Sequence, residues 1–199
     1  AMSIGWANRL LWVLPTLSWA LPLVHHGSDD CPDLSSLRSE FVRTQLDLSL
    51  LGGVWYEIAF QDLAQAGESC QSYNNTVTSD DGIEESFMFK YGPVPGHLAL
   101  HYHPTNVTGV FERSAVLAEP RFPSVIVDVT RLTTGAYDHL IEYLCFKKGP
   151  AKYIEIRLGA RSPMVPTSTL EAMKKTLTSV GVDVSKIKTI DRSKCKTVH

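Results

Sequence analysis

The 199-residue sequence has no surplus of either charge: 19 Lys and Arg stand against 21 Asp and Glu, for a formal net charge of -2. Nucleic acid and anionic membrane surfaces select basic proteins, so nucleic acid is excluded as a partner and membrane contact is at most transient. There is no Cys-x-x-Cys pair. The cysteines Cys31, Cys70, Cys145 and Cys195 are far apart in the chain, which argues against a metal site built from them. No apolar run reaches the ~20 residues that a membrane-spanning helix needs. No nucleophile-elbow motif frames a serine, and nothing in the sequence calls for a cofactor. There are no internal repeats. With 44% hydrophobic and 20% charged residues, the composition is that of an ordinary globular domain with a core.

The longest apolar stretch follows Arg9 and runs from Leu10 to Ala20, with small residues at Ser18 and Ala20. That is the layout of a secretory signal, so residues 1–20 are read as a signal peptide, 21–53 as an N-terminal arm ending in a short helical turn, and 54–199 as the main body. The cysteines, even in number, all follow the proposed cleavage point. Export brings oxidising conditions, so two disulfides are expected, with three pairings open. The expected location is extracellular, with a plastid lumen or another oxidising compartment as the alternative. Asn74-Asn75-Thr76 and Asn106-Val107-Thr108 are glycosylation sequons, naming Asn74 and Asn106.

Turn residues divide the main body into strands. Asp80-Asp81-Gly82, Gly92-Pro93 with Pro95-Gly96, Pro104 with Asn106, Pro120 with Pro123, Thr134-Gly135 and Gly149-Pro150 separate runs near 54–62, 72–79, 83–91, 97–103, 109–118, 124–132, 138–147 and 152–159. Eight short antiparallel strands in succession predict an all-β fold with one α-helix, an up-and-down barrel that leaves no exposed edge; a sandwich is the runner-up. The helix starts at a capping box, Ser168 to Glu171, after Pro166. It carries Leu170, Met173, Leu177 and Val180 on one face and stops at Gly181, so it should pack outside the barrel. A last short strand near 188–190 leads to Cys195.

The stretch from Leu46 to Ala59, with Gly52-Gly53 before Val54-Trp55-Tyr56-Glu57-Ile58, resembles the first signature of the lipocalins, and Leu158 to Pro163 resembles their third. The resemblance implies that Gly53, Trp55 and Arg161 are structural signature residues, with the Arg161 cation over the Trp55 indole at the closed end of the barrel. The second signature departs at Thr134 to Tyr137, which has no aspartate at the matching place and weakens a receptor-facing role for that loop. Residues 31–195 are most similar to the apolipoprotein D-like lipocalins. That likeness implies disulfides Cys31–Cys145 and Cys70–Cys195, a small hydrophobic ligand, a cell-surface receptor as a further partner, and a monomer or weak dimer.

Strand alternation places Phe87, Phe89 and Tyr91 on one face, with Leu98, Leu100 and Tyr102 on the next strand and Val125, Val127 and Val129 on the sixth. With Tyr143, these are the expected ligand-binding residues. No inward stripe read this way carries a set of charges, so the expected cargo is apolar: a fatty acid, sterol, retinoid or carotenoid. His97, His101 and His103 share the opposite face of their strand and are read as solvated, not as metal ligands. No catalytic residues are expected. The enzyme alternative is a lipocalin-fold isomerase or carotenoid de-epoxidase.

Overall fold

The computed structural model describes residues 30–115, 120–193 and 195. The proposed signal at 1–20 lies outside them. After a 3-10 turn at Leu34–Leu37, helix α1 spans Glu40–Gln45, with the Ser39 hydroxyl accepting from the Val42 amide at 3.2 Å as its N-cap. A second 3-10 turn, Leu48–Leu51, is capped by Asp47 and delivers the chain into the first strand.

Eight strands follow at hairpin spacing: β1 (Gly53–Gln61), β2 (Glu68–Val77), β3 (Ile83–Tyr91), β4 (Val94–Pro104), β5 (Val110–Ala115), β6 (Phe122–Arg131), β7 (Tyr137–Lys148) and β8 (Ala151–Ala160). Each pairs antiparallel with the next, and β1 joins β8 to β2, closing an eight-stranded barrel with no free lateral edge. Helix α2 (Thr167–Ser179) and the short β9 (Lys188–Thr189) complete the chain. The strands match the spacing of the turn residues, with ends shifted by a few positions. The predicted tail of the fifth strand, 116–118, lies outside the described residues.

The start of α2 differs from the expectation. Pro166 is the N-cap and no side chain caps the helix. Ser168 is the second helical residue and Glu171 the fifth, two positions too far along to form the box, because proline fixes the entry and the helix begins at Thr167. The apolar stripe is as read: Leu170, Met173 and Leu177 are buried and Val180 packs beside them.

Two apolar layers result. The outer one lies between the barrel wall and α2 and includes Ile58, Ala59, Val125, Val127, Ile141, Tyr143, Ile156, Leu158 and the helix stripe, together with Leu34 and Leu37 from the arm. The inner one fills the closed end of the barrel with Trp55, Tyr73, Ile83, Phe87, Tyr102, Phe111, Ile126, Val129, Tyr137 and Leu140, sealed beneath by Val42 and Leu51. Disulfides Cys31–Cys145 and Cys70–Cys195 tie the arm to β7 and the tail to β2, with Cα separations of 5.6 and 5.4 Å.

A bulge between Glu57 and Ala59 bends β1. Its first half pairs with β2 and its second half with β9, through Ala59↔Thr189 and Phe60↔Lys188. The Arg192 guanidinium spans the β1–β2 seam, donating to the Glu57 carbonyl at 3.2 Å and the Gln71 carbonyl at 2.5 Å.

Candidate functional site: the open half of the barrel

The β1–β2 loop (62–67), the β3–β4 turn (92–93) and the β7–β8 turn (149–150) all lie at one end of the barrel, opposite the end sealed by α1. Exposure rises along the inward stripes toward these loops. On β3, Phe87 is 5% exposed, Phe89 is half-buried and Tyr91 is 64% exposed. On β4, Tyr102 is buried, Leu100 half-buried and Leu98 42% exposed. The register binds these stripes together, with Phe87 opposite Leu98, Glu85 opposite Leu100 and Ile83 opposite Tyr102. Gly96 faces Phe89, and the Phe89 ring fills the space that a Cβ there would occupy. Side chains that face the axis yet meet solvent can only line an open vestibule.

Across the vestibule, Phe146 and Tyr153 are cross-strand partners whose rings stack 4.8 Å apart, and Phe122 lies 4.2 Å from Phe146. Tyr153 alternates with Glu155 and Arg157 on β8, the residues whose side chains reach the axis. The open half therefore has an apolar, largely aromatic wall.

Its floor is ionic. Arg157, 2% exposed, places Nη2 3.0 Å from Glu85, Nη1 3.2 Å from Glu142 and Nε 3.9 Å from Glu57, and it donates to the Tyr102 hydroxyl at 2.8 Å. Its guanidinium also lies over the Tyr73 ring at 4.2 Å. Arg113 grips Glu155 with both terminal nitrogens and stands 3.5 Å from Glu142. Four carboxylates thus share two guanidiniums in a setting where water screens little. Burial pushes Glu57 up to about 8 despite Arg157, and burial likewise raises Glu142. Glu155 goes the other way: burial opposes its charge, but the Arg113 pair holds it below the usual carboxylate range. At the rim, burial raises Asp62 and lifts Glu68 to about 6. Beneath the floor, a cavity of about 20 Å3 lined by Asn75, Ser124, Glu85 and Glu142 has room for one water.

The expected lining residues fall into three groups. Phe87, Phe89, Leu98, Leu100 and Tyr102 lie on the inward stripes, and Tyr91 stands at the rim on the same parity. Val129 is inside but deep at the closed end. Val125, Val127 and Tyr143 are corrections: their side chains belong to the outer layer beneath α2, although Val125 also borders the small cavity. A bulge between Ile126 and Asp128 shifts the parity of β6, so Val125 and Val129 cannot share a face. The expectation of an interior without charges is also corrected, because Glu85 lies on the same stripe as Phe87 and Phe89, and Glu57, Arg113, Glu142, Glu155 and Arg157 point inward around it.

At the closed end the Arg161 guanidinium lies 3.7 Å from the centroid of the Trp55 ring, and Gly53 adopts φ +87°, a conformation that glycine takes without strain. On the outer face, His101 and His103 stack at 4.7 Å, while His97 and His103 bond to Ser86 and Ser114 at 2.9 and 3.3 Å. Among the described residues no group of three or more His, Cys, Asp or Glu side chains is arranged to hold a metal. Asn74 is exposed on β2 and Asn106 is exposed in the β4–β5 loop.

Solved structures share this architecture. They include lobster apocrustacyanin A1 (TM-score 0.58, 13% identity, the match covering 71% of this chain and 77% of that one), the siderocalin Ex-FABP (0.56, 16%, 71% and 94%) and apocrustacyanin C1 (0.59, 12%, 74% and 80%). These neighbours are lipocalins, and the fold here is the lipocalin fold: a closed eight-stranded antiparallel barrel with one main helix packed outside. No family model matches the chain, and no curated protein matches it.

Proposed function

We propose that the protein is a secreted lipocalin that binds and carries one small hydrophobic ligand in the open half of its barrel. The observation that carries this reading is the exposure gradient on β3 and β4. It makes the barrel a cup whose lower half is filled and whose upper half presents Phe89, Leu98, Leu100, Phe146 and Tyr153 to an entering molecule. The wall matches the apolar bodies of sterols, retinoids, carotenoids and the chain of a fatty acid. The siderocalin neighbour, which functions through dual ligand specificities, supports reading this fold as a binder.

Residues 1–20 act in this reading as the export signal, and the two disulfides fit an oxidising destination. Within the lipocalins we place the chain nearest the apolipoprotein D-like branch, on the spacing from Trp55 to Cys70 and the pairings Cys31–Cys145 and Cys70–Cys195. Asn74 and Asn106 are its proposed glycosylation sites, and a monomer or weak dimer its assembly.

One observation favours a second reading. Glu57 is a buried acid that burial keeps protonated near neutral pH, the property of a general acid in an isomerase or de-epoxidase. The two readings separate in one experiment. The protein is purified from a secreting host, extracted with organic solvent, and the extract and native protein are weighed by mass spectrometry, followed by incubation with excess retinoid or carotenoid. A carrier holds about one apolar molecule per chain and returns the added polyene unchanged, whereas an enzyme converts it beyond stoichiometry.

A further inference from the structure

The floor of the cup has a charge balance that a fatty acid does not suit. Arg157 is engaged by Glu85, Glu142 and Glu57, and Arg113 by Glu155 and Glu142, so a carboxylate entering from the mouth meets guanidiniums already neutralised and carboxylates in excess. Glu57 is fully buried, and neither of its carboxylate oxygens has a donor in hydrogen-bonding geometry. What faces it from the mouth side is Gln65. That residue belongs to the β1–β2 loop, where Leu63, Ala64 and Ala66 are exposed, yet its own side chain is tucked into the barrel at 6% exposure, bonded to Gln71 at 3.4 Å and facing Glu57. A neutral amide from a surface loop thus covers an acid that lacks a well-formed partner.

We propose that the floor of the cup binds a protonated amine: the ligand's buried end is a positively charged nitrogen seated on Glu57, in the place the Gln65 side chain fills here. The inference rests on the reading of the open half as a ligand cup. The ligand is then an alkyl or aryl amine, with its apolar body against Phe89, Leu98, Phe146 and Tyr153 and its nitrogen taking up the negative charge that the two arginines leave unbalanced. The groups around Glu57 are Arg157 and Glu155 from β8, Glu85 from β3, Tyr73 from β2, Gln65 from the loop and, on the seam outside, Arg192. Binding at pH 7 ionises Glu57, which is mostly protonated in the free protein, so each amine bound releases close to one proton.

The test compares decylamine, decanol and decanoate below their micelle concentrations at pH 7, by calorimetry in two buffers of different ionisation enthalpy. Decylamine should bind roughly tenfold or more tighter than decanol, with decanoate weakest. Proton release should accompany decylamine alone. Glu57→Gln should bring decylamine and decanol to about equal affinity. Gln65→Ala, which leaves the ionic floor intact and serves if Glu57→Gln does not fold, should raise decylamine affinity about threefold. Decanoate binding as tightly as decylamine, an unchanged preference in Glu57→Gln, or unchanged or lowered decylamine affinity in Gln65→Ala overturns the inference and leaves the cup reading intact. Failure of all three compounds to bind folded protein overturns both.

Discussion

The Arg161 guanidinium covers the face of the Trp55 indole at 3.7 Å while donating to the carbonyls of Leu50, Gly52 and Val54 at 2.7–2.8 Å and to that of Tyr137 at 3.3 Å. One side chain thus satisfies the backbone of the turn that leads into β1 and holds the buried tryptophan beneath it, whose own Nε1 donates to the Leu51 carbonyl at 2.8 Å. Replacing Arg161 with Ala removes the cation over the ring and leaves those carbonyls without their donor. We expect a loss of about 2–4 kcal/mol in chemical denaturation. Ligand affinity should change less than about twofold, because the site is at the far end of the barrel.

Gly159 is a second fixed point near that end. A Cβ there would fall well inside van der Waals contact with the Tyr73 hydroxyl, and Tyr73 is buried between Trp55 and Arg157 with little room to retreat. Gly159→Ala should cost about 2 kcal/mol or more, measured by urea denaturation. The pair Gly159→Ala with Tyr73→Phe, which removes the clashing oxygen, should recover part of that loss.

The two disulfides span 114 and 125 residues. By chain entropy each is worth about 4–5 kcal/mol, less if the unfolded chain is compact. Replacing Cys70 and Cys195 together should lower stability and release the tail that places Arg192 across the β1–β2 seam. Limited proteolysis should then cut near residues 185–195 before the barrel unfolds. The intact disulfide should protect that segment.

Glu57 makes stability fall as pH rises. Its folded pKa, near 8, stands above its ordinary value, so the folded state holds the proton more tightly than the unfolded state. The contribution is fully present below about pH 4.5 and is lost as pH climbs through 8. Glu57→Gln removes that slope. Denaturation at pH 5 and pH 8 should show the wild-type protein losing more stability over this interval than the variant, and equal losses would place the burden on another group.

The strands were legible because glycine, proline and Asp-Gly turns mark almost every hairpin, and the closed end because Gly53, Trp55 and Arg161 sit in recognisable surroundings. The floor of the cup was not. Glu85 lies between Ile83 and Phe87 and reads as one polar residue in an apolar stripe, and Glu57 passes for the solvent-facing member of Trp-Tyr-Glu-Ile. Only a barrel joins β1, β3, β5, β7 and β8 around one axis, so the partnership of Arg157 with Glu85, 72 residues away, has no local signal. The alternation of Glu155 and Arg157 on β8, opposite Leu144 and Glu142 on β7, was the available hint, since charges on an inward parity need each other. The β6 valines misled for a different reason: a bulge costs one residue of register and leaves no mark in an unbroken apolar run.

Titration with the uncharged fluorophore N-phenyl-1-naphthylamine asks whether the open half of the barrel is a ligand cup. A cup gives a saturable, blue-shifted signal at one probe per chain, with competition by apolar ligands. Leu98→Glu should weaken it at least about tenfold by placing a charge on the apolar wall, while Arg161→Ala leaves it within about twofold in protein that remains folded. Non-saturable binding, or a signal that Leu98→Glu leaves unchanged, would contradict it.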